Sequence, residues 1–236
     1  MKKRPFHFRT GSTLIGATGC FALLLSLGMM TTACEIDAYE KGEGKYSLLT
    51  ADFVEATIGS DRYVSYVETD EGQRLIPEPK LTANWIEKSD TTYRAVLYYK
   101  KRNDGKAEAV SFSRVGVLIP FDTLATTKGE SMKTDPLHVE SAWKSTNGKY
   151  LNLRLRLMTG ATESEQARHT IGILRDTMMT TPTHAYFTLY HNQGGCPEYY
   201  SQVAYACLPL SMVAADSVTI TINTYDGTFN RCFAIK

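Results

Sequence analysis

Three side chains late in the sequence have the donor chemistry of a metal site: His184, His191 and Cys196. Zinc and similar ions need such donors to converge on one point. His184 and His191 are seven residues apart, which is an odd offset, so in one continuous strand their imidazoles point to opposite faces. The sequence therefore predicts no metal site and no cofactor.

Motifs for nucleophilic or acid–base catalysis are no stronger. Ser211 lies in the apolar segment LPLSMV and not in a G-x-S-x-G turn, and Cys207 has no histidine signature around it. Glu163 and Glu165 have the spacing of a carboxylate pair, but the preceding Gly160-Ala161-Thr162 indicates an exposed turn. We therefore expect a protein without enzymatic activity.

Aromatic residues in the first half are candidates for stacking a ligand. Small OB-type barrels stack sugars or bases on aromatic strand faces. The adjacent Tyr98 and Tyr99 cannot share a strand face, so part of the aromatic set must be core. We take Tyr63, Tyr66 and Trp85 as the candidate stacking residues, with ordinary core and surface packing as the alternative.

Residues 1–33 have the layout of a secretory signal peptide, with a cationic start and an uncharged apolar stretch, residues 14–30. Thr31-Thr32-Ala33-Cys34 resembles the lipobox of bacterial lipoproteins, although Thr31 stands where an aliphatic residue is preferred. Cleavage before Cys34 would expose a thiol for acylation, and two or three acyl chains anchor a protein stably. An uncleaved N-terminal membrane anchor is the alternative.

The polar, acidic segment that follows, residues 34–45, is expected to be a flexible tether. Its acidic cluster also resembles the surface-export signals of Bacteroides outer-membrane lipoproteins, and a plain solvated linker is the alternative. We expect the mature protein to be an outer-membrane lipoprotein of the bacterial cell envelope, on either its periplasmic or its surface face.

Three cysteines remain once Cys20 leaves with the signal peptide and Cys34 carries lipid. A disulfide between Cys196 and Cys207 would close a short loop and add up to about 3 kcal/mol of stability. Pairing of Cys207 with Cys232, or three reduced and buried thiols, are the alternatives. The surrounding loop, residues 192–200 (NQGGCPEYY), has the glycines and paired tyrosines of a partner-contacting surface.

The charge balance disfavours nucleic acid as a partner. The chain has 26 Lys and Arg against 25 Asp and Glu. Four of the cations and none of the acids lie in residues 1–33, so the remainder is mildly acidic. Binding to a phosphate backbone is driven by an excess of positive charge. With a mean hydropathy of −0.24 the chain is also too polar to be a multi-span membrane protein.

Short runs of alternating apolar and polar residues predict an all-β fold. The clearest run is 150–158, in which Leu151, Leu153, Leu155 and Leu157 alternate with polar residues. We expect Val218, Ile220, Ile222, Phe187 and Leu189 to pack against these leucines from an opposing sheet. Turn sequences around Gly105, Gly148 and Gly227 predict hairpins.

A loop-like stretch at 124–136 divides the mature chain into two halves of a usual domain size. The first half, 46–130, has about five strands and predicts a small OB-like barrel. The second half, 136–236, has six or seven strands and predicts an immunoglobulin-like β-sandwich.

Several segments resemble NigD-like lipoproteins of Bacteroidetes. Residues 70–77 (DEGQRLIP) and 93–99 (YRAVLYY) are similar to the first domain of that family. Residues 140–143 (ESAW), 148–153 (GKYLNL) and 215–220 (ADSVTI) are similar to the second. The resemblance implies an OB-like domain followed by a β-sandwich and a loose association with bacteriocin immunity. No catalytic residues are known for the family, so it implies none here.

These features predict a lipid-anchored envelope protein that binds a protein or peptide partner, in a role like bacteriocin immunity. The alternative is a glycan-binding accessory lipoprotein of an outer-membrane uptake system. An exposed aromatic platform formed by Tyr63, Tyr66 and Trp85 would favour the alternative.

Overall fold

The computed structural model describes residues 49–102, 104–122, 132–161 and 167–236. These residues form fourteen β-strands and one 3₁₀ turn, Leu210–Met212. The predicted all-β fold is therefore confirmed. The predicted signal peptide, Cys34, the tether and the pair Glu163 and Glu165 lie outside the described residues.

The first five strands close into a barrel in the order β1-β2-β3-β5-β4. Strand β3 runs parallel to β5, and the other neighbours are antiparallel. This arrangement is the predicted OB-like barrel. The strands are β1 (Thr50–Ile58), β2 (Val64–Thr69), β3 (Arg74–Pro77), β4 (Thr92–Lys101) and β5 (Lys106–Arg114).

The barrel has its own core, formed by alternate residues of its strands. Val54, Ala56, Val67 and Leu97 are among its buried members. The segment between β3 and β4 packs on this core through Trp85 and Ile86. The backbone N–H of Val64 donates to the carbonyl of Leu81 at 2.8 Å, which ties this segment to β2.

The remaining strands form two facing sheets. A five-stranded sheet has the order β14-β13-β11-β10-β7, and a four-stranded sheet has the order β6-β12-β9-β8. Strands β6 to β10 are Gly116–Val117, Pro120–Asp122, His138–Lys144, Tyr150–Thr159 and Thr170–Arg175. Strands β11 to β14 are His184–Asn192, Tyr200–Pro209, Ser217–Thr224 and Gly227–Ala234.

The core of this sandwich lies between the sheets and contains the predicted partners. The four alternating leucines of β9 are buried in one cluster with side chains from β11 and β13. The expected contact residues Val218, Ile220, Ile222, Phe187 and Leu189 all belong to that cluster. The predicted sandwich and the register of β9 are confirmed.

Two predicted hairpins form around glycines with positive φ. Gly148 has a φ of 70° in the β8–β9 turn, and Gly227 has a φ of 113° at the β13–β14 turn. Residues other than glycine rarely adopt these φ values. Glycine therefore fixes where each hairpin reverses.

Strand pairing changes the predicted extent of the barrel. The predicted barrel extends to residue 130, but β6 pairs with β12 and β7 pairs with β10. Both strands therefore belong to sandwich sheets, because edge positions next to β12 and β10 were open to parallel pairing. The barrel strands end at Arg114, and whether barrel and sandwich fold separately stays a prediction.

The barrel packs on the outer face of the four-stranded sheet. Phe53 of β1 meets Trp143 of β8 and Tyr205 of β12 edge-on, with ring centroids 5.2 and 5.6 Å apart. Val96, Val115 and Cys207 are buried in the same cluster. Barrel and sandwich therefore form one compact unit from Leu48 to Lys236.

Candidate functional site

The three candidate stacking residues of the barrel have separate partners. The Nζ atom of Lys80 lies 5.3 Å from the ring centre of Tyr63. The guanidinium of Arg74 lies 3.5 Å above the ring of Tyr66. Trp85 is half-buried against two rings of the barrel core, those of Tyr93 and Phe112. Each ring is thus in contact with a different neighbour, and a stacking role for the three residues stays a prediction.

The disulfide predicted between Cys196 and Cys207 is not formed, and all three cysteines from Cys196 onward are free. Cys207 is enclosed at the contact of barrel and sandwich, and burial raises its pKa to about 11. Cys196 is buried in the loop after β11, whereas Cys232 is exposed on β14. Cys207 is an outward-facing residue of β12, so its side chain is enclosed by the barrel. It therefore does not face the loop that carries Cys196.

The histidines point to opposite faces of β11, as their spacing predicted. Nε2 of His184 lies 2.8 Å from the hydroxyl of Thr219, and its Nδ1 lies 2.7 Å from that of Ser217. His191 is buried on the core side, with its Nε2 3.0 Å from Nδ1 of His169. Within the described ranges, no group of His, Cys, Asp and Glu is arranged to hold a metal ion.

One end of the sandwich presents a cluster of exposed tyrosines. Tyr199 is 79% exposed, Tyr200 55% and Tyr225 39%. The first two stand at the start of β12, and Tyr225 stands in the β13–β14 turn. We call these three residues, with Glu198 and His138, the distal rim.

The distal rim lies beyond the part of the sandwich that contacts the barrel. Tyr200 pairs with Thr159 at one end of the β9–β12 ladder, and Pro209 pairs with Tyr150 at the other. Tyr150 packs in the cluster shared with the barrel. In β12 the barrel contact begins at Tyr205, whose ring meets Phe53, and five steps of about 3.3 Å, or roughly 16 Å, separate Tyr205 from Tyr200. The rim is therefore free of the barrel contact.

The rim side chains are held by contacts between the two sheets. The hydroxyl of Tyr225 donates to Oε1 of Glu198 at 2.9 Å, and its ring stacks on that of His138 with centroids 4.9 Å apart. Burial, followed by the bond to Glu198, raises the pKa of Tyr225 to about 12. Tyr225 therefore remains a neutral donor at physiological pH.

The loop that carries Tyr199 is fixed by its backbone. Gly194 has a φ of 60°, and a Cβ atom there would lie 2.2 Å from the carbonyl oxygen of Arg168. The N–H of Gln193 donates to Oδ2 of Asp135 at 2.8 Å, and its side-chain amide donates to the carbonyl of Cys196 at 2.8 Å. The loop is thus preorganised, which lowers the entropic cost of binding.

The ring of Tyr199 itself lies across Gly160. A Cβ atom at Gly160 would approach Cδ2 of Tyr199 to 2.7 Å and Cβ of Pro197 to 3.0 Å. The N–H of Tyr199 donates to the carbonyl of Thr159 at 3.0 Å. A large aromatic ring is therefore presented in a fixed position, as in many binding hot spots.

A cavity of about 260 Å³ adjoins the rim. It is lined by His138, Val139, Thr224, Asp226, Gly227, Thr228 and Phe229. A larger cavity of about 470 Å³ lies at the opposite end, beside Lys149 and Ile235. The rim thus combines exposed aromatic rings with an adjacent concave surface, and its chemistry suits binding rather than catalysis.

The sequence identified part of this site. The loop 192–200 was predicted as a contact surface because of its glycines and tyrosines. Tyr225 and His138 were missed, since they join the rim only through strand pairing. The one local signal was the position of Tyr225 directly before Asp226-Gly227, which places an aromatic ring at a turn.

A buried polar network joins barrel and sandwich at the other end. Nη2 of Arg94 donates to Oδ2 of Asp70 at 2.7 Å and to Oδ1 of Asn152 at 3.2 Å. The Nζ atom of Lys149 and the hydroxyl of Tyr150 each donate to Glu55 at 2.7 Å. Burial is the largest single influence on the pKa of Glu55 and raises it, but these hydrogen bonds outweigh burial and lower the pKa. The network fixes the barrel against the sheet.

Residues 119–233 match the family described as the NigD-like C-terminal beta sandwich domain. This match confirms the predicted resemblance for the second domain. It begins close to the point where β7 enters the sandwich, which agrees with the observed strand pairing. Comparison with proteins of curated annotation finds no match.

Solved structures from Bacteroides and Parabacteroides species have the same fold. A NigD-like immunity protein from Bacteroides caccae is similar with 23% identity and a TM-score of 0.61, over 80% of this chain and 94% of that one. A candidate lipoprotein from Bacteroides fragilis is similar with 13% identity and a TM-score of 0.58, over 80% and 98%. A candidate toxin-related protein from Parabacteroides distasonis is similar with 16% identity and a TM-score of 0.56, over 78% and 92%.

These likenesses show the fold alone. A share of 80% is larger than the sandwich, so the likeness to the Bacteroides caccae protein also extends into the barrel. The matched family and the three neighbours named above do not carry the names of enzyme families.

Proposed function

We propose that this chain, whose residues 119–233 match the NigD-like β-sandwich domain, is a lipid-anchored envelope protein that binds a protein or peptide partner. The proposed role is self-protection against a bacteriocin, without enzymatic activity. The observation that carries the proposal is the distal rim, in which Tyr199 and Tyr200 are exposed on a preorganised loop. Tyrosine is enriched at binding hot spots because it supplies a large contact area at low entropic cost.

The names of two structural neighbours support the proposed role in self-protection. One neighbour is a NigD-like immunity protein, and another is a candidate toxin-related protein. We infer that the partner is a protein antagonist, and binding it needs an exposed and rigid contact surface rather than a reactive site. For the glycan-binding alternative, the rings of Tyr63 and Tyr66 are already in contact with Lys80 and Arg74, and Trp85 is partly buried.

Membrane attachment through Cys34 is part of the proposal. It is supported by the signal-peptide layout and by the likeness to a candidate lipoprotein. In the part of the chain that the structure describes, no helix is long and apolar enough to span a membrane. Metabolic labelling with a radioactive or alkyne-bearing fatty acid should mark the wild-type chain and leave Cys34→Ala unlabelled. Equal labelling of both would disprove the anchor.

The proposed role is tested by a protection assay. Cells that lack the gene are complemented with the wild-type chain or with Tyr199→Ala plus Tyr200→Ala, and are exposed to culture supernatants of competing strains. We expect wild-type cells to survive at least one supernatant that kills the complemented double variant, at equal amounts of envelope protein.

The matched control is Tyr63→Ala, which removes an exposed tyrosine from the barrel. This variant should protect as well as wild type. A loss of protection with Tyr63→Ala and not with the double variant would place the protective contact surface on the barrel and reject the distal rim. Identical survival with and without the gene against all supernatants would reject the immunity role.

A further inference from the structure

Strand β14 is a long sheet edge whose outer side has no neighbouring strand among the described residues. It is the last strand of the five-stranded sheet and pairs with β13 on its other side. Its eight residues run in continuous register with β13, contain no proline or lysine, and six of them are exposed. The edge therefore presents a regular row of backbone N–H and C=O groups that can pair with another chain.

The other three edges of the sandwich are blunted. Strand β6 has two residues and β7 has three. Strand β8 is longer, but its register is interrupted between Val139 and Ser141. Short strands and bulges are the usual devices that keep a sheet edge from pairing with another chain. Of the four edges, β14 is the one that is both long and regular.

The hydrogen-bond pattern of the β13–β14 hairpin determines which backbone groups face outward. The N–H of Ile235 donates to the carbonyl of Asp216 at 2.8 Å, so these two residues form a hydrogen-bonded pair. Such pairs recur at every second position of an antiparallel ladder. Phe229, Arg231 and Phe233 therefore bond to β13. The backbone groups that face the open edge belong to Thr228, Asn230, Cys232 and Ala234.

The side chains on the inward side of β14 combine apolar and charged contacts. Phe229 and Phe233 pack against the sandwich core but are only partly buried. Arg231 lies between them, is exposed, and has its guanidinium 5.2 Å from the ring of Phe233. In the part of the chain that the structure describes, no carboxylate pairs with Arg231. A cation at this position repels a basic strand and favours an acidic one.

The cavity beside the distal rim also adjoins this edge. It measures about 260 Å³ and is lined by Val139 of β8, Phe229 of β14 and His138 of the rim, among other residues. Small-molecule sites usually begin at about 300 Å³. The cavity therefore suits one side chain of a larger partner, and it makes the rim and the edge of β14 a continuous surface.

We propose that β14 binds an extended segment of the partner protein as a sixth strand of the five-stranded sheet. The segment carries an acidic residue opposite Arg231 and apolar residues opposite Phe229 and Phe233. Backbone hydrogen bonds along the edge provide affinity, and the inward side chains provide specificity, as in strand addition generally. This docking rests on the proposed function in one respect, namely that the partner is a protein or peptide.

A second copy of the chain is a poor occupant of this edge. When two β14 strands pair antiparallel about a two-fold axis, residues with the same backbone direction oppose each other. Arg231 then opposes Phe229, Phe233 or Arg231 itself, so the two arginines are diagonal or directly opposite. Like charges in such positions are destabilising. An acidic segment from another protein avoids this repulsion.

The first test measures protection of the edge by a designed peptide. The probe is a seven-residue peptide with blocked ends, in which threonine alternates with valine and the central residue is glutamate. It is added to the chain from residue 35 onward, which contains the compact unit Leu48–Lys236. In the free protein, the amides of Asn230 and Cys232 should exchange fast and that of Arg231 slowly. The peptide should slow the two fast amides roughly tenfold when nine molecules in ten are bound.

The second test reverses the charge. Replacing the central glutamate of the peptide by lysine should weaken binding by up to roughly tenfold. In Arg231→Glu the preference should reverse, so that the lysine peptide binds better. The matched control is Arg114→Glu, which changes an exposed barrel arginine that contacts one ring, that of Tyr93, and should keep the wild-type preference. An unchanged preference in Arg231→Glu would overturn the proposal.

The third test asks whether the peptide adds as a strand. Only alternate N–H groups of an added strand face its neighbour. Methylation of the central glutamate nitrogen and methylation of the adjacent threonine nitrogen should therefore have opposite effects, with one peptide still bound and the other released. Loss with the methylated threonine indicates an antiparallel addition, and loss with the methylated glutamate a parallel one. Equal affinity of the two methylated peptides would overturn the proposal.

The remaining outcomes separate this docking from the immunity role. Edge amides that stay unprotected at millimolar peptide would overturn the docking whether or not cells are protected. Edge amides already slow in a free protein of twice the monomer mass would also overturn it and assign the edge to a second copy. In the supernatant assay, Arg231→Glu should lose protection and Arg114→Glu should retain it. Full protection by Arg231→Glu would overturn the docking alone, because the immunity role would then stand without it.

Discussion

At the residue scale, a few side chains do what no other type could do at their positions. Gly194 combines a positive φ with a backbone approach that leaves no room for Cβ. His191 extends the buried row of β11 and satisfies both ring nitrogens, through the carbonyl of Asp135 at 2.8 Å and Nδ1 of His169 at 3.0 Å. These two residues shape the loop that presents the distal rim.

Gly194→Ala is expected to loosen this loop without unfolding the protein. The added Cβ would lie 2.2 Å from the carbonyl oxygen of Arg168, so the loop backbone must shift. We expect faster amide exchange in residues 193–199, together with loss of protection in the supernatant assay. Gly72→Ala, which also has a positive φ but no atom within 4 Å of the added Cβ, is the control for backbone strain alone. Equal exchange rates in both variants would contradict the steric argument.

The histidine pair predicts a pH dependence of stability. A carbonyl only accepts, so Nδ1 of His191 carries its proton and Nε2 accepts from Nδ1 of His169. Burial, and then the proximity of His191, lower the pKa of His169 below its usual 6.5. As pH falls, His169 is therefore protonated in the unfolded chain before it is protonated in the folded protein. The free energy of unfolding should decrease as pH falls below about 6.5.

His169→Asn tests this dependence, because asparagine keeps a side-chain donor and does not titrate. Urea unfolding between pH 5 and pH 8 should show a flatter profile for the variant than for wild type. Parallel profiles would mean that other groups cause the acid destabilisation.

At the element scale, β9 shows how one strand serves two contacts. Its leucines are buried between the sheets, while the opposite side of the strand changes character along its length. Asn152 is buried under the barrel, and Arg154 pairs with Glu140 at 2.6 Å near the end of that contact. The alternation in sequence determines the core side, but the barrel determines which part of the other side is covered.

Substitutions in β9 should show this difference. Leu153→Ala removes a fully buried side chain and is expected to cost about 2 to 5 kcal/mol of unfolding free energy, through lost transfer energy and a cavity. Arg154→Ala removes a partly exposed ion pair and is expected to cost about 1 kcal/mol or less. Chemical denaturation of both variants gives the comparison. Comparable losses would mean that the register of β9 is wrong.

At the scale of the whole molecule, the buried network makes barrel and sandwich one unit. Arg94 is buried, bonds Asp70 and Asn152, and lies 4.2 Å above the ring of Tyr150. Removal of one partner from such a pair leaves an uncompensated buried charge. The network therefore couples the stability of the two domains.

Arg94→Ala is expected to cost about 3 to 5 kcal/mol and to separate one unfolding transition into two. Differential scanning calorimetry measures both effects. Lys80→Ala removes a salt bridge to Asp61 at 3.2 Å, in which the side chains are 74% and 51% exposed, and should leave the transition unchanged. A single, unshifted transition in Arg94→Ala would show that the network does not join the domains.

The sequence by itself determined the all-β fold, the barrel followed by the sandwich and the buried face of β9. Alternation and turn glycines are local signals, because a strand buries every second side chain wherever it pairs. The opposed histidines of β11 followed from the same parity. The NigD-like resemblance carried the second domain for the same reason, since its motifs are strand and turn patterns.

Only the tertiary structure decided the rest. β6 and β7 are too short to show a period, and their place in the sandwich depends on which sheet edges are open. Cys207 became an interface residue and not a disulfide partner because the barrel covers the outward side of β12. The distal rim joins residues far apart in sequence, through strand pairings whose order the local pattern does not encode.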